Sequence, residues 1–283
     1  MKSKQYMERK TLLRQAFLDT CIMSRINASL AKSVAESVAE QTVVTESSSF
    51  MARLKDRDGH VIVSRKRTME AAAAYKGRKT AVLNFASPFS PGGCGEKASL
   101  TQEECLCRES TLYSCISTEK CMEQFYRPHQ NCYRPNRPLF FLYDSDMIYT
   151  PNVTVFKTFD QVPVLMPESE WFKVDVITMA APNIKGQSSL KEEDMTNIFE
   201  IRFTLTVLEA LRHDVEVLVL GAFGCGAFGN DPLIVATAAG RVLEKYRKNF
   251  DTVEFAIYEG GKEICYPVFD RVLNKWKEGY PID

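Results

Sequence analysis

Thr80-Ala81-Val82-Leu83-Asn84-Phe85-Ala86-Ser87-Pro88-Phe89-Ser90-Pro91-Gly92-Gly93-Cys94-Gly95 is the stretch that decides the fold class. Its first six residues form a short apolar run and read as a buried strand. The run stops at a Pro/Gly loop, where the backbone can approach a ligand closely. Glu96 to Thr101 follows, and Gln102-Glu103-Glu104 then opens a helix. A strand, a loop and a helix in that order form the repeating half of an α/β sheet.

The same alternation extends outward. Upstream, Lys4 to Ile22 places Leu12, Leu13, Ala16 and Phe17 at helical spacing and predicts an N-terminal helix. Asn27 to Ser49 is rich in Ser, Ala and Val and offers one short strand, Thr42 to Thr45. Lys55 to Gly59 is a charged turn, Val61 to Val63 a strand, and Thr68 to Tyr75 an Ala-rich helix. Downstream, Gln102 to Cys115 reads as one helix, and Arg127 to Arg137, with Pro128 and Pro135, as a loop. With Tyr126 and Tyr133 that loop is either a lid or simply solvated. Strands are expected at Val153–Phe156, Val174–Met179, Val215–Leu220 and Val253–Tyr258. Helices are expected at Glu192–Arg212, Pro232–Tyr246 and Ile264–Trp276. This order predicts an α/β sheet with helices on both faces. No internal repeat or linker breaks it. The chain is expected to be one domain over 1–283: an N-terminal extension and first strands over 1–80, and a ligand-binding core over 81–283.

The 283 residues are 45% hydrophobic and 25% charged, as in ordinary globular proteins. Lys plus Arg equals Asp plus Glu, at 36 each, so nothing argues for a nucleic-acid-binding surface. No apolar run is long enough to span a membrane. The N-terminal stretch has no apolar signal core, so a cytoplasmic protein is expected. The nine cysteines lack a Cys-x-x-Cys pair, and reduced thiols are the expected state. His60, His129 and His213 are scattered and suggest no metal site.

Two constellations carry chemistry. In Gly221-Ala222-Phe223-Gly224-Cys225-Gly226-Ala227-Phe228-Gly229-Asn230, four glycines lie between a strand and a helix. Such a loop is either a tight structural turn or a cradle that grips a pyrophosphate through backbone N–H groups, helped by the helix start that follows. Phe223 and Phe228, interleaved with the glycines, suit a nucleoside or ribose ligand. The candidate contacts are Gly224, Cys225, Gly226, Ala227 and Phe228. The second constellation is Gln102-Glu103-Glu104. With Thr101 as N-cap, Glu104 would close a capping box and Glu103 would favour the helix dipole. Alternatively, the pair does acid chemistry. Neighbours on a first turn point about 100° apart, so both can reach one ligand. A like-charged neighbour favours the protonated form of a buried carboxyl, which suits a general acid. Asn183 ends a buried strand and is either a turn cap or a ligand contact at the sheet's carboxyl edge.

Taken together these motifs resemble the microbial-type poly(ADP-ribose) glycohydrolases, which are macrodomain enzymes. Pro91-Gly92-Gly93-Cys94, a spacer of seven residues and Gln102-Glu103-Glu104 are similar to that family's signature. Asn84 to Ser87, Gln102 to Arg108, Val176 to Asn183 and Gly221 to Pro232 look like further family blocks, in family order. The resemblance implies a three-layer α/β/α macrodomain-like mixed sheet with an N-terminal helical extension. It also implies Glu104 as the catalytic acid, Glu103 holding ribose hydroxyls, and Asn84, Gly92, Gly93, Cys94 and Gln102 as further ligand-binding positions. The implied partner is ADP-ribose or an ADP-ribosylated macromolecule, and no metal or organic cofactor is called for. The implied reaction is hydrolysis of an ADP-ribosyl O-glycosidic bond. The alternatives are a non-catalytic ADP-ribose-binding macrodomain, or a hydrolase of mono-ADP-ribosylated protein, nucleic acid or a small metabolite. One departure stands out: Cys94 occupies the place of the third glycine. If that position needs positive φ, Cys costs about 1 kcal/mol or more unless Gly95 takes the turn.

Overall fold

The computed structural model describes residues 2–45, 48, 52–93, 98–132, 140–185 and 190–277. In chain order the elements begin with α1 (Lys2–Ile26), α2 (Ala28–Glu40), β1 (Thr42–Val44), β2 (His60–Ser64), α3 (Thr68–Ala73) and β3 (Thr80–Phe85). Next come α4 (Gln102–Glu109), α5 (Leu112–Ile116), α6 (Glu119–Cys121), a π-helical turn (Met122–Tyr126) and α7 (Arg127–Cys132). The chain continues through β4 (Met147–Val155), β5 (Phe172–Met179), α8 (Glu192–Arg212), β6 (Val217–Leu220), α9 (Pro232–Tyr246), β7 (Thr252–Ala256) and α10 (Cys265–Lys277). No helix among the described residues is long and apolar enough to cross a membrane.

The chain divides into two compact units. The first comprises Met1–Val44, Asn84–Phe140 and Asp146–Ala180. Its strands β1, β4 and β5 pair antiparallel, with Thr42 opposite Tyr149 and Met147 opposite Met179. Helix α1 buries Leu13, Ala16 and Phe17. It is pinned at two points. The Thr20 hydroxyl donates to the Arg108 carbonyl on α4 at 2.7 Å, and buried Lys157 Nζ reaches Ala16 O at 3.1 Å and Asp19 at 2.6 Å. The end of β3 also belongs here: the Ala86 N–H donates to Met179 O at 3.0 Å.

The second unit comprises Thr45–Leu83, Phe141–Ser145 and Ala181–Asp283. It is parallel throughout. β2 pairs with β7, β7 with β6 and β6 with β3. β6 is buried at every position, which is why it reads as a continuous apolar run rather than an alternation. The rings of Phe199 and Phe203 on α8 meet Phe223 at 6.1 and 6.2 Å. Burial of Phe223 contributes about 2–3 kcal/mol and fixes the chain just before the glycine loop. Antiparallel strands in one unit and parallel strands in the other make the mixed α/β class expected from the sequence.

Three expectations need correction. Gln102 to Cys115 is two helices. Ser110 leaves the helix to bridge to Val155, and Glu109 O accepts from the N–H groups of Phe156 and Lys157, so tertiary pairing breaks the periodic run. Arg127 to Cys132 is helical rather than loop. Pro128 is the second residue of α7, in a first turn where a missing N–H does no harm. The rest of that expected loop, 133–137, lies outside the described residues. Third, β4 begins well before Val153. Pro151-Asn152 is a bulge inside the strand, with Asn152 at φ +57° and its N–H on Asp175 Oδ1 at 2.9 Å.

Candidate functional site

In the first unit the site is built from β3, the loop after it and the start of α4. Gln102 Oε1 accepts from the Phe85 N–H at 2.9 Å, which clamps the strand end to the helix start. Glu103, 3% exposed, accepts from two loop N–H groups: Ser87 at 2.8 Å on Oε2 and Gly92 at 3.1 Å on Oε1. Its carboxyl group is thereby immobilised. The loop is closed on itself. Ser87 Oγ accepts from Phe89 and Ser90, the Gly93 N–H donates to Ser90 O, and the Ser90 hydroxyl donates to Gly93 O at 2.7 Å. Gly92 and Gly93 take φ +69° and +76°. A Cβ on Gly93 would stand 2.4 Å from Glu104 Oε1, so glycine is required for the backbone to pass over that carboxyl.

Glu104 is also 3% exposed. Thr101 is the N-cap of α4, as a capping box requires. Its side chain caps no backbone N–H; the hydroxyl donates to Glu104 Oε2 instead. The box is therefore not formed, and the Thr101 hydroxyl serves to orient the Glu104 carboxyl. Asn84 is fully buried, with Nδ2 on Thr178 Oγ1 at 3.2 Å and with Oδ1 meeting no donor among the described residues. Cys94, like Gly95, lies outside the described residues.

One residue near this acid pair, Tyr126, was read from the sequence only as a companion of the expected 127–137 loop. Tyr126 ends the π-helical turn, is fully buried and packs with Cys121, Phe125 and Ile148. Its hydroxyl has no hydrogen-bond partner among the described residues. Burial first, and then the charge of Glu103, push that hydroxyl well above its ordinary pKa. π turns concentrate at functional sites, but the sequence around Tyr126 carries no signal of one.

In the second unit the glycine loop leaves β6 and returns to α9. Gly224 and Gly229 take φ +76° and +75°. Three of the loop's N–H groups are used internally: Cys225 to Ala222 O, Gly229 to Gly226 O and Asn230 to Gly224 O. Those of Gly224, Gly226, Ala227 and Phe228 donate to no described residue. Backbone N–H groups left open in this way are the raw material of an anion nest. The start of α9 does not join it. Asp231 caps that helix, accepting from Leu233 N at 2.8 Å, and Pro232 supplies no donor. The expected help from the helix start is thus replaced by an aspartate, and the loop alone carries the donors. Cys225 is half-buried; its hydrogen bond to Cys265 and its burial push its thiol well up. Asn183 caps its own turn, Oδ1 accepting from Lys185 N at 3.3 Å, while its N–H donates to Phe141 O at 2.9 Å. Next to it, the Ile184 N–H holds Phe228 O at 3.0 Å.

No group of three or more His, Cys, Asp or Glu side chains among the described residues is placed to hold a metal ion. His129 Nδ1 sits 2.7 Å from Phe125 O and His213 pairs with Glu209 at 3.0 Å.

The fold matches solved structures closely. Poly(ADP-ribose) glycohydrolase (PARG) from Thermomonospora curvata, bound to the inhibitor ADP-HPD, superposes with a TM-score of 0.75 at 28% identity. The match covers 92% of this chain and 98% of that one. The family described as "Microbial-type PARG, catalytic domain" matches residues 19–158. Over that segment, just under half of its length, the chain is similar to the microbial-type PARG family. A second neighbour, PARG from Deinococcus radiodurans in complex with ADP-ribose, matches with a TM-score of 0.74 at 26% identity, over 86% of this chain and 97% of that one. No curated protein matches. The microbial-type PARG match contains the whole of the Gly92–Gly93 loop, Glu103 and Glu104, and the macrodomain-like fold class read from the motifs agrees with these neighbours.

Proposed function

We propose that this protein is a hydrolase that cleaves ADP-ribosyl O-glycosidic bonds and releases ADP-ribose, with an ADP-ribosylated macromolecule as its partner. The observation that carries the reading is the pair Glu103–Glu104. Two adjacent, buried carboxyls have different neighbours: Glu103 accepts from the N–H groups of Ser87 and Gly92, and Glu104 takes the Thr101 hydroxyl and lies under Gly93. Glu103 holds the ribose hydroxyls. Glu104 donates a proton to the leaving oxygen while the C1–O bond breaks and an oxocarbenium-like ribose develops. Water then attacks C1 and returns a proton to Glu104. Asn84, Gly92, Gly93, Cys94 and Gln102 are proposed as the further ligand-binding positions in this part of the chain, although buried Asn84 and the Gln102 clamp suit support better than contact. In the second unit, the loop Gly224 to Phe228 is proposed to grip the diphosphate through the N–H groups of Gly224, Gly226, Ala227 and Phe228. Asn183 shapes the neighbouring turn.

Residues 1–283 are taken as one functional domain. A cytoplasmic location is proposed, in keeping with a cysteine content that has no Cys-x-x-Cys pair and suits a reducing compartment. The test is Glu104→Gln. Calorimetry is expected to show ADP-ribose binding retained. Product release from ADP-ribose polymer is expected to fall about 100-fold or more, as for removal of a general acid. A variant that melts earlier yet turns over at the parent rate would make Glu104 a structural residue only.

A further inference from the structure

Asn230 closes the glycine loop and is 3% exposed. Its side-chain NH2 donates to two carbonyls, Pro182 O at 2.7 Å and Gly224 O at 2.9 Å. Its own N–H donates to Gly224 O as well, at 3.2 Å. Both side-chain partners are acceptors, so only the NH2 end of an amide fits there. The other end, Oδ1, is buried and meets no donor among the described residues. A buried acceptor without a partner is unfavourable, so the fold keeps this amide at some loss of stability. The surroundings are shaped to it. A Cβ on Gly224 would come within 2.6 Å of Asn230 Nδ2 and 2.6 Å of Ala181 Cβ, so the amide fills the space that Gly224 leaves empty. The loop is then tied to the 181–185 segment twice, at Pro182 by this amide and at Ile184 through Phe228 O.

We propose that Asn230 is a positioning residue for anion binding: its carboxamide holds residues 224–229 in the ligand-ready turn before the ligand arrives. This rests on the reading that the loop grips a diphosphate. The N–H groups of Gly224, Gly226, Ala227 and Phe228 point outward together only while Gly224 O and Pro182 O are held. Asn230 touches no reacting atom, so it governs affinity rather than the chemical step.

The test is calorimetry with ADP-ribose, together with steady-state kcat and KM on ADP-ribose polymer. The parent is compared with Asn230→Asp, Asn230→Ala, Asn230→Ser and Tyr75→Phe. Asn230→Asp sets a carboxylate against two carbonyls. Asn230→Ser keeps one donor. Tyr75→Phe removes the hydroxyl that binds buried Glu254 at 2.5 Å and serves as a control for lost stability in the same unit. Loss of two hydrogen bonds is expected to raise Kd and KM about tenfold or more in Asn230→Asp and Asn230→Ala. kcat should stay near the parent value, and Asn230→Ser should fall between. Tyr75→Phe should lower the melting temperature and leave Kd unchanged. The proposal is overturned if Asn230→Ala and Asn230→Ser bind like the parent, or lose kcat with KM intact. It is also overturned if Tyr75→Phe weakens binding as much as Asn230→Ala. A parent that binds no ADP-ribose overturns the diphosphate reading itself, and this proposal with it.

Discussion

Gly92 and Gly93 in the first unit, and Gly224 and Gly229 in the second, all take positive φ, between 69° and 76°. What the two loops do with their N–H groups differs. In the first, Gly92 donates inward to Glu103 and Gly93 donates to Ser90, so the loop is consumed in holding an acid. In the second, the N–H groups of Gly224, Gly226, Ala227 and Phe228 meet no acceptor among the described residues, and the neutral amide of Asn230 does the holding. Glycine therefore has two uses here. It lets a backbone pass over a carboxyl in one place and expose donors in the other.

That contrast is open to test, beginning with its largest consequence. Glu103→Gln keeps one acceptor and turns an NH2 toward the second loop N–H. It is expected to cost about 1–3 kcal/mol in denaturant unfolding. Displacing the loop should lower turnover about 100-fold, as misplacement of a reacting group does. Parent-like turnover would show that the acid does not depend on its loop.

Gly226→Glu probes the other loop. Nothing lies within 4 Å of a Cβ there, and Gly226 has no positive φ, so the fold should tolerate the change. The added charge should raise the Kd for ADP-ribose about tenfold or more while the melting temperature holds. Equal affinity would remove this loop from the anion site.

Thr101→Val takes away the hydroxyl on Glu104 and should cost about 1 kcal/mol with only a few-fold loss of turnover. Thr101→Ser should restore both.

The smallest effect belongs to a charge remote from either loop. The backbone N–H of Lys79, and then Arg57, hold Glu216 below its ordinary 4.5. A depressed carboxyl pKa adds stability above the unfolded value and loses it as pH falls through the folded one. Melting temperatures measured below about pH 4.5 should therefore fall less steeply in Glu216→Gln than in the parent. Identical slopes would assign acid sensitivity elsewhere.

Much of the framework was legible because periodicity and punctuation agree. α8 and α9 have the bounds expected from the sequence, Glu192–Arg212 and Pro232–Tyr246, and β3 runs from Thr80 to Phe85 as read. α2 was not legible. Its buried face includes Ser33 and Ser37, which bond Asn152 O and Thr154 rather than pack as apolar side chains, so no apolar stripe marks it. The Asn27 cap, accepting from Leu30 N, was the available signal. At the site, the residue types of the acid pair and the glycine loop could be read. Their partners could not. Thr101, read as a helix cap, bonds the Glu104 side chain instead, and the neighbours Tyr126 of Glu103 and Pro182 of Asn230 are set by tertiary contact.

The most direct measurement incubates the wild-type protein with ADP-ribose polymer and, in parallel, with mono-ADP-ribosylated protein, and quantifies free ADP-ribose over time. Steady release from polymer, abolished in Glu104→Gln, is the predicted result. Tight ADP-ribose binding with no release from either substrate would contradict it and leave a binding domain in place of an enzyme.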